Sequence, residues 1–126
     1  SPKYGCGQGS CGCCTVLVDG EPQLACLTLA ETVAGRAVST AAGLADGAGL
    51  HPLQTAFIEG FAAQCGYCTP GMLMAAKALL DRNPNPDRDE VIEAIGGNIC
   101  RCTGYEPIID AVLVAARQDV GRRRAG

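Results

Sequence analysis

Gly5-Cys6-Gly7-Gln8-Gly9-Ser10-Cys11-Gly12-Cys13-Cys14 puts four cysteines and four glycines into ten residues. With Cys26 further on, the spacing is Cys6-x4-Cys11-x2-Cys14-x11-Cys26. It opens as plant-type [2Fe–2S] sites do, where three thiolates come from one loop curled around a small anionic cluster. Glycines let such a backbone bend and come close to what it surrounds. Amide N–H groups turned inward then face the negative sulfurs. A zinc knuckle has no need of that many glycines, so iron–sulfur is the expectation for this set.

Working outward, Thr15-Val16-Leu17-Val18 and Gln23-Leu24-Ala25-Cys26-Leu27 flank Asp19-Gly20. That dipeptide is a strong hairpin signal, and the second strand of the hairpin is expected to deliver Cys26. A short extended stretch at Arg36–Thr40 follows. The small residues from Ala41 to Gly49 read as a linker. Beyond it the pattern becomes helical. Pro52 suits a first helical position, and Leu53, Ala56, Phe57, Gly60 and Phe61 share one stripe of a helix predicted to end at Gln64. A second helix is predicted from Thr69 as N-cap and Pro70 in the first turn, with Met72, Leu73, Ala76, Leu79 and Leu80 inward. Met74 joins Met72 as expected core filler. Asn83-Pro84-Asn85-Pro86 breaks the chain. A third helix, Arg88–Ile95, stops at Gly96-Gly97, and a fourth, Glu106–Arg117, presents Ile108, Ile109, Val112, Leu113 and Ala116.

The second cysteine set, Cys65-x2-Cys68-x31-Cys100-x-Cys102, sits at the junctions between these helices. A thiolate near a helix N-terminus, as Cys68 is before Thr69-Pro70, gains from the dipole. Cys65-Gly66-Tyr67-Cys68 follows a helix rather than a strand, which argues against a thioredoxin-like redox pair. By spacing alone, zinc and iron–sulfur both remain open at this second set.

Composition narrows the choices. The 126 residues are 48% hydrophobic but only 4% aromatic, and Gly and Ala carry much of the apolar fraction. So thin a core calls for help from metals, disulfides or partner chains. Disulfides fit poorly with nine cysteines, two of them adjacent at Cys13–Cys14, and with no apolar leader at the start. His51 is the single histidine, which excludes a Rieske centre, and neither Cys-x2-Cys is followed by the His of a c-type haem site. A net charge of −3 gives no basic face for nucleic acid. Arg122, Arg123 and Arg124 read as a solvated tail. No run reaches the ~18 apolar residues of a membrane span, and a cytoplasmic location is expected.

Three stretches together resemble the small iron–sulfur subunit of the molybdenum hydroxylases, the xanthine oxidase family. They are Gly5 to Val16, Gln64-Cys65-Gly66-Tyr67-Cys68-Thr69-Pro70-Gly71-Met72, and Gly97-Asn98-Ile99-Cys100-Arg101-Cys102-Thr103-Gly104-Tyr105. The resemblance covers nearly the whole chain. It implies an α+β fold, with a ferredoxin-like β-grasp domain at 1–42 and a four-helix domain at 43–126, each carrying one [2Fe–2S] cluster. It implies Cys6, Cys11, Cys14 and Cys26 as ligands of one cluster, and Cys65, Cys68, Cys100 and Cys102 as ligands of the other. It further implies a large molybdopterin-binding subunit and a medium FAD-binding subunit as partners, in an (αβγ)2-type assembly. Electrons would pass singly from the Mo–pterin centre through both clusters to FAD or an external acceptor. The chain itself would do no bond-making chemistry, and the substrate would be bound elsewhere in the complex. Cys102 and Gln64 would lie on the pterin side.

Two departures from the family pattern stand out. The first hairpin of the β-grasp sheet has no counterpart ahead of the cluster loop, which would expose a sheet edge. Cys13 stands where the family has a small residue such as Ala, and is expected to be a buried neighbour of the cluster rather than a ligand. Two further function classes remain at this point: a zinc-stabilised interaction module, and a free-standing ferredoxin, against which the helical second set speaks.

Overall fold

The structure, a computed structural model, describes residues 1–125, with side chains through Asp119. Two antiparallel strands, β1 (Thr15–Val18) and β2 (Glu21–Leu24), pair in register Thr15↔Leu24 to Val18↔Glu21. The turn between them takes positive φ at both Asp19 (50°) and Gly20 (83°), as the dipeptide predicts. A two-residue strand β3 (Val38–Ser39) pairs antiparallel with the other side of β1, so the sheet order is β2-β1-β3. Asp19 ties this edge down: its carboxylate accepts from the Arg36 guanidinium at 2.8 Å and from Ala37 N at 2.9 Å. Cys26 lies outside β2. The strand ends at Leu24, and Cys26 sits on a 3-10 turn, Ala25–Leu27, with Ala25 N donating to Cys14 O. A second 3-10 turn spans Ala30–Val33, and the stretch read as a linker begins with a third, Ala41–Gly43, whose Ala41 is buried.

Four helices follow: α1 (Pro52–Glu59), α2 (Thr69–Arg82), α3 (Arg88–Ile95) and α4 (Glu106–Ala125). His51 caps α1 through Nδ1, which accepts from Leu53 N, and Gln54 returns a bond to His51 N. Asp87 and Glu90 form the same reciprocal box at α3. The first helix is shorter than predicted. It stops at Gly60, and Phe61 takes a left-handed φ of 55° that turns the chain toward Cys65. Phe61 therefore leaves the apolar stripe and is 80% exposed, while Leu53, Ala56 and Phe57 are buried as expected. Thr69 is also one position off: Cys68 occupies the N-cap and makes no side-chain cap bond. The backbone of α4 extends past Arg117, and the side chains of Arg122, Arg123 and Arg124 lie outside the described residues.

One continuous core joins the sheet to the helices. Leu17 of β1 belongs to the same buried cluster as Leu53, Met72, Leu80, Val91, Ile108 and Val112. Met72 and Met74 are both buried, as filler of an irregular interior should be. α2 is the central element, lying against β1 and α3, while α1 packs chiefly on α4. Its first turn lies backbone-to-backbone on the first cysteine loop. A Cβ on Gly71 would stand 2.4 Å from Gly12 O and 3.0 Å from Cys13 Cα. Only a glycine lets the helix rest on the cysteine loop in this way. Gly71→Ala is therefore expected to destabilise the fold by roughly 1–3 kcal/mol, the usual range for overpacking. Gly43→Ala, with nothing within 4 Å, should stay within about 0.5 kcal/mol of wild type. Unfolding midpoints of the two variants check the contrast.

Candidate metal centre

Each cysteine loop is shaped by its own backbone. In the first, Gln8 N donates to Cys6 Sγ at 3.4 Å, and the amides of Ser10 and Cys11 also turn toward that sulfur. Led by the Ser10 side chain, these donors push the Cys6 thiol down to about 5. A thiol so surrounded favours the charged form that binds metal. Cys14 is buried and in contact with Cys26, whose thiol is pushed up by burial and then by Cys14.

The second loop follows the same plan. Tyr67 N donates to Cys65 Sγ at 3.5 Å. Cys68 touches Cys100, and burial, followed by Cys100, pushes the Cys68 thiol up to about 12. Cys100 moves the other way. Burial raises it, but Thr103 Oγ1 at 3.2 Å and the amides of Cys102 and Thr103 win, and the net shift is downward. Tyr105 OH accepts from Cys100 N at 3.1 Å, and Tyr105 N donates to Thr103 Oγ1. Cys65 and Cys102 are exposed, and Gln64 Nε2 donates to Cys102 O at 3.1 Å, so those three form the outer edge of this loop.

The two loops meet. A cavity of about 260 Å³ is lined by Cys6 and Cys11 from one side and by Cys65, Cys68, Cys100 and Cys102 from the other. Ile99 N donates to Cys11 O at 2.8 Å, Asn98 Nδ2 to Gly12 O at 2.9 Å, and Tyr67 OH to Tyr4 O. Gly12 has φ of 74°, and a Cβ there would fall 2.4 Å from Gly97 O. Arg101 is the one charged side chain lining the cavity, thiols apart.

Cys13 differs from its neighbours. It is 4% exposed, its Sγ donates to Lys3 O at 3.3 Å, and Cys11 Sγ lies 3.4 Å away. Burial, then Cys11, pushes its thiol up to about 11, so it keeps its proton.

Among the described residues no three Cys, His, Asp or Glu side chains close into a cage for a single ion. Thiols meet in pairs instead, Cys14 with Cys26, Cys68 with Cys100, and Cys11 with Cys13 at 3.4 Å. A binuclear cluster needs two thiolates at each iron, and its cations would offset the charge that crowded thiols resist. Thr69 Oγ1 is fully buried with no hydrogen-bond partner, the one such side-chain atom among the described residues. An unmade bond of this kind costs about 1–3 kcal/mol, so the spot beside Cys68 is built for an acceptor. The donor set, the amides and this hydroxyl fit iron–sulfur centres. Sequence reasoning assigned no role to Asn98, Tyr67, Thr103 or Tyr105, and gave Thr69 only a capping role. All five stood in the quoted motifs, but their partners are distant in the chain or depend on loop shape.

This is the construction of an iron–sulfur protein, and comparison with known proteins agrees. A family model described as a [2Fe-2S] binding domain matches residues 40–113, and one described as a 2Fe-2S iron-sulfur cluster binding domain matches residues 2–59. The first covers the second cysteine set and favours iron–sulfur over zinc there. The nicotine 6-hydroxylase small subunit of Paenarthrobacter nicotinovorans is 54% identical over 92% of this chain and 70% of that protein. The crystal structure of quinoline 2-oxidoreductase from Pseudomonas putida 86 superposes with a TM-score of 0.90 at 51% identity, over 96% of this chain and 75% of that one. Aldehyde oxidoreductase from Desulfovibrio desulfuricans gives a TM-score of 0.89 at 46% identity, over 96% of this chain but 14% of that one. The chain belongs to the small [2Fe–2S] subunits of the molybdenum hydroxylase family. It is an iron–sulfur electron-transfer subunit of an oxidoreductase of that type.

Asn98 gives a test of how the loops are held. It is 6% exposed and also donates to Thr15 Oγ1 at 3.3 Å. Asn98→Ala should cost about 1–3 kcal/mol. Asn98→Asp, which turns an acceptor toward Gly12 O, should cost more. Hydrogen exchange at the Ile99 amide, faster in both variants, locates the loss at the junction.

Proposed function

We propose that this chain relays single electrons from a Mo–pterin centre through two [2Fe–2S] clusters to FAD or an external acceptor. The observation that carries this reading is the junction of the loops. Cys11 O accepts from Ile99 N, whose residue is bonded directly to Cys100, so one hydrogen bond bridges the two cysteine sets. Cys6, Cys11, Cys14 and Cys26 hold one cluster, and Cys65, Cys68, Cys100 and Cys102 the other. Cys13, protonated and bonded to Lys3 O, is no ligand. The first cluster belongs to an N-terminally short β-grasp domain at 1–42, and the second to the helical domain at 43–126.

The partners follow from the relatives. In aldehyde oxidoreductase the matching stretch is a small part of a long polypeptide. In nicotine 6-hydroxylase it is a separate small subunit. We assign this chain partners of the same kind, a large molybdopterin subunit and a medium FAD subunit, in an (αβγ)2-type assembly. We assign Cys102 and Gln64, at the exposed edge of the helical loop, to the pterin side. When bound, the clusters supply one-electron redox steps. The chain's own residues hold them, turn amides toward the sulfurs and limit water access. Among the described residues no helix is long and apolar enough to cross a membrane. We place the chain in the reducing cytoplasm, where nine thiols stay available to iron.

Iron and labile-sulfide analysis should find four of each per chain, as two [2Fe–2S] clusters require; two irons, or stoichiometric zinc, contradicts the reading. Cys13→Ala should keep both clusters and Cys14→Ala should lose one, and the opposite pair of results shifts the ligand assignment. Within the complex, Cys26→Ala should leave molybdenum reducible by substrate while blocking FAD reduction. Cys102→Ala should disturb the molybdenum site itself, seen in its EPR signal.

A further inference from the structure

We infer that the Thr69 hydroxyl is a hydrogen-bond donor to the sulfur of the helical cluster at Cys68, and that this bond raises the cluster's reduction potential. The inference rests on the two-cluster reading above and adds a residue that no cysteine pattern specifies.

Thr69 Oγ1 is enclosed and unpartnered. Other threonine hydroxyls nearby are committed: Thr15 Oγ1 donates to Gly12 O at 2.6 Å, and Thr103 Oγ1 is 3.2 Å from Cys100 Sγ. A threonine inside a helix satisfies its hydroxyl on the carbonyl one turn back. Thr69 opens α2 and has no preceding helical turn to use. It is not the N-cap either, since Cys68 holds that position, so the capping bond is also denied to it. The side chain beside it is Cys68, and the two touch without closing an ordinary hydrogen bond. A neutral thiol is a weak acceptor, whereas a cluster thiolate or sulfide is a strong one. The missing partner and the cluster sulfur are thus one and the same requirement.

The direction of the effect follows from charge. Reduction adds one electron to an already anionic centre, so a donor aimed at its sulfur stabilises the reduced state more than the oxidised one. The positive end of the α2 dipole, at Thr69, acts in the same sense. Thr69 is a positioning and tuning residue; it exchanges no electron itself.

The test is a redox titration of the assembled complex, followed by EPR, with the signal lost in Cys26→Ala assigned to the other cluster. Thr69→Val, similar in shape but without a donor, should keep four irons per chain. It should lower the helical-cluster midpoint by about a tenfold change in its reduction equilibrium, about 59 mV for one electron. Thr69→Ser should stay near wild type, and the β-grasp cluster should not move. If Thr69→Val fails to load, Thr69→Ala removes the same donor without the bulk and must show the same fall. An unmoved midpoint in the valine or alanine variant overturns the inference, as does a serine variant shifted as far as valine. Those results leave the two-cluster reading intact, whereas a wild-type complex with no helical cluster overturns both.

Discussion

The constraint on which this structure depends is the bare-backbone contact between the first cysteine loop and the helical half. Gly12 lies under Gly97 and Asn98, and Gly71 lies on Gly12 and Cys13. No side chain stands between these segments, so three separate stretches of chain come within carbonyl distance of one another. That closeness makes the polar links possible. Ile99 N reaches Cys11 O, and Asn98 reaches Gly12 O, because nothing holds the backbones apart. Dispersion and hydrogen bonding across such a contact compensate for a sequence with few large side chains.

The same contact explains why the chain has a continuous core despite its two kinds of structure. α2 must sit against β1 for Gly71 to touch Gly12, and in that position it packs on β1, α3 and α1 with Met72 and Ala76 fully buried. Members of both cysteine sets then line one cavity. Their buried members, Cys14 and Cys100, face inward, while Cys65 and Cys102 remain at the surface. An electron carrier needs this arrangement: sulfur near a partner on one side, and a short protein path to the next centre on the other.

Much of the architecture was legible because its signals are local. Asp19-Gly20 marks a turn whose two positive φ values few other pairs tolerate; β1 forms where it was expected, while β2 runs Glu21–Leu24 rather than Gln23 to Leu27. Of the residues the 3.6-residue stripes turned inward in α2 and α4, all but Leu113 are buried, while Ala75, Ala78, Ala111 and Ala115 are buried without having been named. Misreadings fell where tertiary geometry overrides pattern. Phe61 looked like one more residue of an apolar stripe, but Gly60 ends the helix and a left-handed turn swings it outward. Cys26 looked like a strand residue, but the chain leaves the ladder at Leu24 to bring it against Cys14.

The cysteine spacing is a local signal for the grouping proposed above, since ligand intervals in a tight loop are set by how far a backbone can curl. It gave nothing of the surroundings that tune the site. Asn98 binds a carbonyl 86 residues away. Thr103 and Tyr105 reach Cys100 only because Gly104 and Tyr105 both adopt left-handed φ, a feature of three-dimensional closure rather than of any period. The distinction has a physical origin. Ligands must satisfy the metal's bond lengths, which imposes regular intervals on the chain. Hydrogen-bond donors around the ligands need only reach a sulfur or a carbonyl, and many sequence separations allow that. Ligand identity is therefore the part of such a centre most open to sequence, and potential is the part that requires the fold.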